Sequence, residues 1–142
     1  MSTVAQILRT KGDQFYAIGP EKPVFDALRL MAEKEVGALL VMKDDELVGI
    51  VSERDYARKV ALQGKASPTT TVSEIMTPQV TTVRPEQTVD ECMMVMTEGR
   101  FRHAPVVVNG KVAGVISLGD LVKTVISDQK YVIEQLEHYI TS

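Results

Sequence analysis

Gly114-Val115-Ile116-Ser117-Leu118-Gly119-Asp120 repeats Gly49-Ile50-Val51-Ser52-Glu53-Arg54-Asp55 at an offset of 65 residues, with glycine, two β-branched residues, serine and aspartate in register. An apolar run that ends in a hydroxyl and a carboxylate, where a helix should begin, sets polar groups beside unpaired helix N–H donors. One such phrase says little. Two in register mark a duplicated unit, with a candidate binding site at the same position of each copy. The gapless alignment carries residues 15–56 onto 80–121 and pairs Pro20 with Pro85, Val24 with Val89, Met31 with Met96 and Val41 with Val106.

Each copy reads in the same order. A short strand, 15–18 or 80–83, runs into a proline that cannot continue a ladder. A helix follows, with Val24, Ala27, Leu28, Met31 and Ala32 on one face and Val89, Cys92, Met93, Met96 and Thr97 on the equivalent face. Thr88 is a candidate N-cap. Two β-runs come next, joined by Asp44-Asp45 in the first copy and by the strong hairpin signal Asn109-Gly110 in the second. A second helix starts after Ser52 or Ser117. The helix from Leu121 to Tyr139 should be the longer one, bent near Ser127-Asp128, with an apolar face open to the rest of the protein or to a second chain.

Residues 64–71 are polar with Gly and Pro and read as a linker, giving repeat 1 over 1–63 and repeat 2 over 72–142. Val72-Ser73-Glu74-Ile75-Met76 echoes Val4-Ala5-Gln6-Ile7-Leu8, so a short lead-in precedes each copy. The 142 residues fit one module, with 44% hydrophobic and 25% charged residues as in soluble globular proteins. A net charge of −3 offers no basic field for nucleic acid, and no apolar run approaches a membrane span. No secretory signal is evident and the single cysteine excludes an internal disulfide, so the expected compartment is the cytoplasm.

Two β-α-β-β-α units, each closing on Gly, two apolar residues, Ser and then Asp, resemble a tandem pair of CBS domains, or Bateman module. Val80-Thr81-Thr82-Val83-Arg84-Pro85 and Arg102-His103-Ala104-Pro105-Val106-Val107 add to the likeness. It covers residues 3 to about 125, and the two-copy, stand-alone members look most similar. The resemblance implies an α/β fold of two repeats related by pseudo-twofold symmetry and packed through small mixed sheets. It also implies clefts for adenosine-containing ligands (AMP, ADP, ATP or NAD(H)), a homodimer, and a regulated partner protein.

The implied site residues suit that chemistry. One ionised carboxylate, Asp55 or Asp120, can accept from both ribose hydroxyls. Ser52 or Ser117 and the adjacent helix start can donate to a phosphate. Ala17 and Ile18, or Thr82, Val83 and Pro105, would flank the adenine in an apolar slot. Arg100, Arg102 and His103 form a basic cluster toward the second cleft. The first copy has Gly37 and Ala38 in place of Arg102 and His103, so its cations must come from Arg54, Arg58 or Lys59. The Asp120 cleft should therefore hold a phosphorylated ligand more tightly.

Plainer readings compete. Ser-x-x-Asp after a strand is also a capping box, in which the carboxylate returns to the serine amide. Arg100, Arg102 and His103 could be a solvated edge. Cys92 reads as a buried thiol, and Met93, Met94 and Met96 as core filling. His103 and His138 lack the further ligands of a zinc site, and Asp44-Asp45-Glu46 lacks calcium-loop spacing. No nucleophile–base pair, P-loop or metal constellation argues for an enzyme. The rival to ligand sensing is a structural dimerisation module with vestigial sites.

Overall fold

In the computed structural model, which describes residues 2–141, the chain runs α1 (Val4–Lys11), β1 (Ala17–Ile18), α2 (Val24–Lys34), β2 (Ala38–Lys43), β3 (Glu46–Ser52), α3 (Glu53–Tyr56), α4 (Val72–Ile75), α5 (Val89–Gly99), β4 (His103–Val108), β5 (Lys111–Ser117) and α6 (Leu118–Thr141). A π-helical turn over Ala57–Ala61 follows α3, and a 3-10 turn spans Ser67–Thr69.

The helical period sets the buried faces. Val24, Ala27 and Met31 of α2 are buried at i, i+3 and i+7, as are Val89, Cys92 and Met96 of α5. Both helices end on a left-handed residue, Glu35 (φ 56°) and Arg100 (φ 59°), which turns the chain into the following strand. Thr88 caps α5 in a box with Glu91, whereas α2 starts at Pro23 without a side-chain cap. Asp44-Asp45 and Asn109-Gly110 all have positive φ, the geometry that lets a two-residue turn match strand twist. The hairpins β2–β3 and β4–β5 are antiparallel, and each carries a register shift, at Val41/Met42 and at Val106/Val107.

Three sequence expectations change. The strand expected over 80–83 is reduced to a single parallel bridge, Val83 to Val106, so the β4–β5 sheet has two strands where β1-β2-β3 has three. β1 itself covers Ala17–Ile18 of the expected 15–18, parallel to β2. Helix α6 passes through Ser127-Asp128 without interruption. Cys92 is fully buried, but Met94 is 63% exposed and fills no core. Among the described residues no helix is long and apolar enough to cross a membrane.

The polypeptide packs as two units, residues 15–81, and residues 2–14 together with 82–141. This division differs from the expected break at 64–71, because each lead-in packs on the other copy. In one unit, Val24 N–H donates to Thr70 O, Val72 N–H to Lys22 O and Ser73 N–H to Pro20 O. In the other, Val89 N–H donates to Ser2 O, Val4 N–H to Gln87 O and Ala5 N–H to Pro85 O. The two patterns correspond bond for bond. The putting-aside of 64–71 as a solvated linker is corrected accordingly: Thr70 is 5% exposed and its carbonyl holds the start of α2.

The exchange also accounts for the motif glycines. A Cβ on Gly49 would lie 2.6 Å from Met76 Sδ and 3.0 Å from the Thr77 carbonyl oxygen. A Cβ on Gly114 would lie 2.8 Å from Leu8 Cδ2. Met76 and Leu8 hold the same place in the two lead-ins, so glycine here makes room for the incoming segment. Each unit then closes its own core. Ile75, Val72, Val51, Val41 and Val24 belong to one, and Val4, Ile7, Val106, Ile116 and Leu121 to the other.

Candidate functional site

Both Ser-x-x-Asp phrases sit at the strand-to-helix turn, and both form capping boxes. At β3–α3, Ser52 N–H donates to Asp55 Oδ2 (2.9 Å), and Asp55 N–H donates to Ser52 Oγ (3.2 Å). At β5–α6, Ser117 N–H donates to Asp120 Oδ2 (2.8 Å), and Asp120 N–H donates to Ser117 Oγ (3.1 Å). The carboxylates are thus turned onto the serine amides, as the capping alternative requires, and are not fully open. Capping satisfies helix donors that would otherwise be orphaned.

A lysine meets each carboxylate, and here the copies part. Lys59 Nζ lies 3.2 Å from Asp55 Oδ1 and donates to Ile75 O at 2.9 Å. Asp55 is then engaged at both oxygens, Oδ2 also accepting from Ser52 Oγ. Lys11 Nζ, from the exchanged lead-in α1, lies 2.7 Å from Asp120 Oδ2 and donates to Val115 O at 2.8 Å. Asp120 Oδ1 accepts no hydrogen bond among the described residues. Burial pushes the Asp120 carboxyl up, but the Lys11 ammonium and the Ser117 amide outweigh it and hold the group below the ordinary carboxylate range.

His103 stands opposite Ser117 in the β4–β5 ladder. Burial lowers its pKa first, the Lys11 and Arg102 cations lower it further, and Asp120 opposes them. It is therefore a neutral imidazole at pH 7, able to donate and accept. Arg102 is exposed beside it, and its carbonyl accepts from Leu118 N–H at 2.8 Å. Lys11, Arg102, His103, Ser117 and Asp120 thus gather in one unit. A groove of about 510 Å³ opens along α1 and α6, lined by Gln6, Thr10, Lys11, Asp120, Lys123 and Thr124 among others.

Other expected residues fall elsewhere. Arg100 is exposed and serves as the left-handed cap of α5. Arg54 and Arg58 are exposed and form no ion pair among the described residues, which leaves Lys59 as the cation that meets Asp55. Thr82 and Ala17 are exposed, Ile18 is half-buried, and Val83 and Pro105 are buried. Val83 N–H donates to Pro105 O and its carbonyl accepts from Val107 N–H, both at 2.9 Å. Its backbone is spent on β4 and cannot serve an adenine edge. Lys11 was absent from the sequence expectations: the only local sign was a basic residue in the last turn of a short helix 109 residues from its carboxylate. Among the described residues no group of three or more His, Cys, Asp or Glu side chains could hold a metal ion.

The CBS domain profile matches this chain twice, over residues 4–62 and 72–127. A mitochondrial CBS domain-containing protein of Arabidopsis thaliana is 36% identical over 148 residues, spanning 98% of this chain and 72% of that one. A solved CBS-domain protein from Burkholderia ambifaria is 55% identical with a TM-score of 0.87, covering 90% of this chain and 96% of that one. The CBS domain pair of MJ0100, solved with 5′-methylthioadenosine and S-adenosyl-L-methionine, superposes with a TM-score of 0.79 over 90% of this chain and 98% of that one. At 22% identity it shares the fold.

Proposed function

Since the chain belongs to the CBS-domain family and carries two copies of the domain, we propose that it is a non-catalytic regulatory module. It works as a homodimer, binds an adenosine-containing ligand beside Asp120 and relays occupancy to a partner protein. The observation that carries this reading is the free Oδ1 of a half-buried, ionised Asp120. A ribose can hydrogen-bond that oxygen with the Ser117 cap still in place. Lys11, Arg102 and the Ser117 hydroxyl supply the positive and donor groups that a phosphate or another anionic tail requires. Neutral His103 can add one uncharged hydrogen bond, and Thr82, Val83 and Pro105 offer side-chain surface to the base. AMP, ADP, ATP and NAD(H) share the ribose and adenine that this set addresses.

Relay requires that the ligand favour one arrangement of the protein over another. Lys11 supplies a route. A ligand that draws the ammonium onto its phosphate loosens the Lys11–Asp120 pair, and with it the hold of α1 on the start of α6. The second phrase supports a narrower role: with both Asp55 oxygens taken, the β3–α3 turn is read as a structural cap.

Isothermal titration of AMP, ATP and NADH into the wild type and Asp120→Asn tests the reading. Saturable heat for at least one nucleotide, lost in Asp120→Asn and kept in Asp55→Asn, is expected. No heat for any nucleotide overturns ligand sensing, and equal affinity in Asp120→Asn overturns the assigned site.

A further inference from the structure

Helix α6 has 24 residues, about 36 Å at 1.5 Å per residue, yet only its first half rests on its own unit. Leu121 is buried, Val125 packs on the core, and Asp128 accepts twice from Ser2 Oγ at 2.9 and 2.8 Å. Every residue from 129 to 141 is exposed. A helix of that length standing alone is marginal in water, because nucleation is costly and no packing offsets it. The apolar residues are not scattered around it. Val122, Val125 and Ile126, then Val132 and Ile133, then Leu136 and Ile140 follow a spacing of three and four, the seam of a two-stranded coiled coil. Ile133, Leu136 and Ile140 are 55%, 56% and 79% exposed. Gln129 interrupts the seam once, as a polar position that fixes register does.

We propose that this stripe is a self-association surface that packs antiparallel against the same stripe of a second copy of the chain. The inference deepens the homodimer part of the function proposed above and rests on it. Charge and cover argue for the occupant and its direction. One edge of the stripe carries Lys123 and Lys130 toward the start and Glu137 toward the end, a distribution complementary to its own reverse. The other edge, with Leu121 and Asp128, is occupied by the helix's own unit. A parallel pair would have to bring the free edge of one helix against the covered edge of the other. An antiparallel pair brings free edges together about a dyad near Ile133, placing Lys130 of each copy beside Glu137 of the other, and closes as a symmetric dimer.

Sedimentation equilibrium of the full chain tests the surface. The wild type should carry the mass of two copies, and Ile133→Glu/Leu136→Glu should weaken self-association by about 30-fold or more, since two carboxylates would enter an apolar seam. Both positions are solvent-exposed within the single chain, so an unchanged thermal midpoint certifies the variant's fold. Oxidation of single-cysteine variants tests direction. Ile133→Cys should cross-link to itself, while Ile126→Cys should do so only when mixed with Ile140→Cys; Cys92 is fully buried and stays silent. A one-copy mass for the wild type overturns both the homodimer and this surface. A two-copy mass that survives the double glutamate variant overturns the α6 surface and leaves the homodimer standing. Self-cross-linking of Ile126→Cys overturns the antiparallel order.

Discussion

The β3–α3 and β5–α6 turns carry the same phrase, the same capping box and nearly the same bond lengths, yet only one of them keeps an acceptor in reserve. The difference lies in where the lysine comes from. Lys59 is four residues beyond Asp55 and reaches the outer oxygen from the same helical turn. Lys11 arrives from the exchanged lead-in and shares the oxygen that already caps the helix. A duplicated motif therefore diverges in chemistry through its surroundings, with its own residues unchanged.

The largest effect should separate the two aspartates directly. Asp120→Asn should weaken nucleotide binding by about 30-fold, the roughly 2 kcal/mol of a charge-assisted pair of hydrogen bonds, while Asp55→Asn leaves affinity within about twofold. Titration calorimetry reads both, and equal losses would erase the distinction. Next, Gly49→Ala should lower stability by about 1–3 kcal/mol, because the new methyl meets the Met76 side chain and the backbone oxygen of Thr77. Denaturant melts should show the loss with nucleotide affinity kept. Lost affinity at unchanged stability would return this glycine to the binding machinery.

The lysines should differ in acid. Asp120 has a depressed pKa, so the stability it contributes is present above its unfolded value and is lost as pH falls through the folded one, from about pH 4 downward. Lys11→Met should cost under about 1 kcal/mol near neutrality. The gap in thermal midpoint from the wild type should close as that acid range is crossed. A gap that persists at the lowest pH would assign the effect to packing of α1. The smallest effect belongs to His103, which has no counterpart in the first copy. Its lowered pKa makes stability fall as pH drops below about 6.5, and His103→Gln should flatten that slope in a series of melts between pH 7 and 5.

What was legible in the sequence was whatever depends on short-range chemistry. The buried faces of α2 and α5 follow from a period of three and four, and Asn109-Gly110 and Asp44-Asp45 turn where small polar residues tolerate positive φ. The Ser-x-x-Asp pair announced a helix start and a candidate site together, and the geometry shows the cap in both copies. The rest is long-range. Lys11 meets Asp120 across 109 residues, and no local pattern marks that pairing. The strand expected over 80–83 has the right residues, but beyond Val83 it finds no continued partner along β4. The bend expected in α6 rested on Ser127-Asp128, yet Asp128 is anchored by Ser2 and the helix runs on.

The reciprocal exchange of lead-ins also gives the chain an order of assembly. Residues 15–81 form one uninterrupted stretch and can close their core as soon as α4 has been made. The other unit joins both ends of the sequence, so Val4 and Ile7 of α1 must wait, uncovered, until α5, β4, β5 and α6 have followed. Its closure spans the whole of the first unit, whose prior folding shortens the effective loop and eases the entropic cost. The segment that brings Lys11 to Asp120 is thus among the first made and the last docked, so the Asp120 site is finished only when the entire chain is in place.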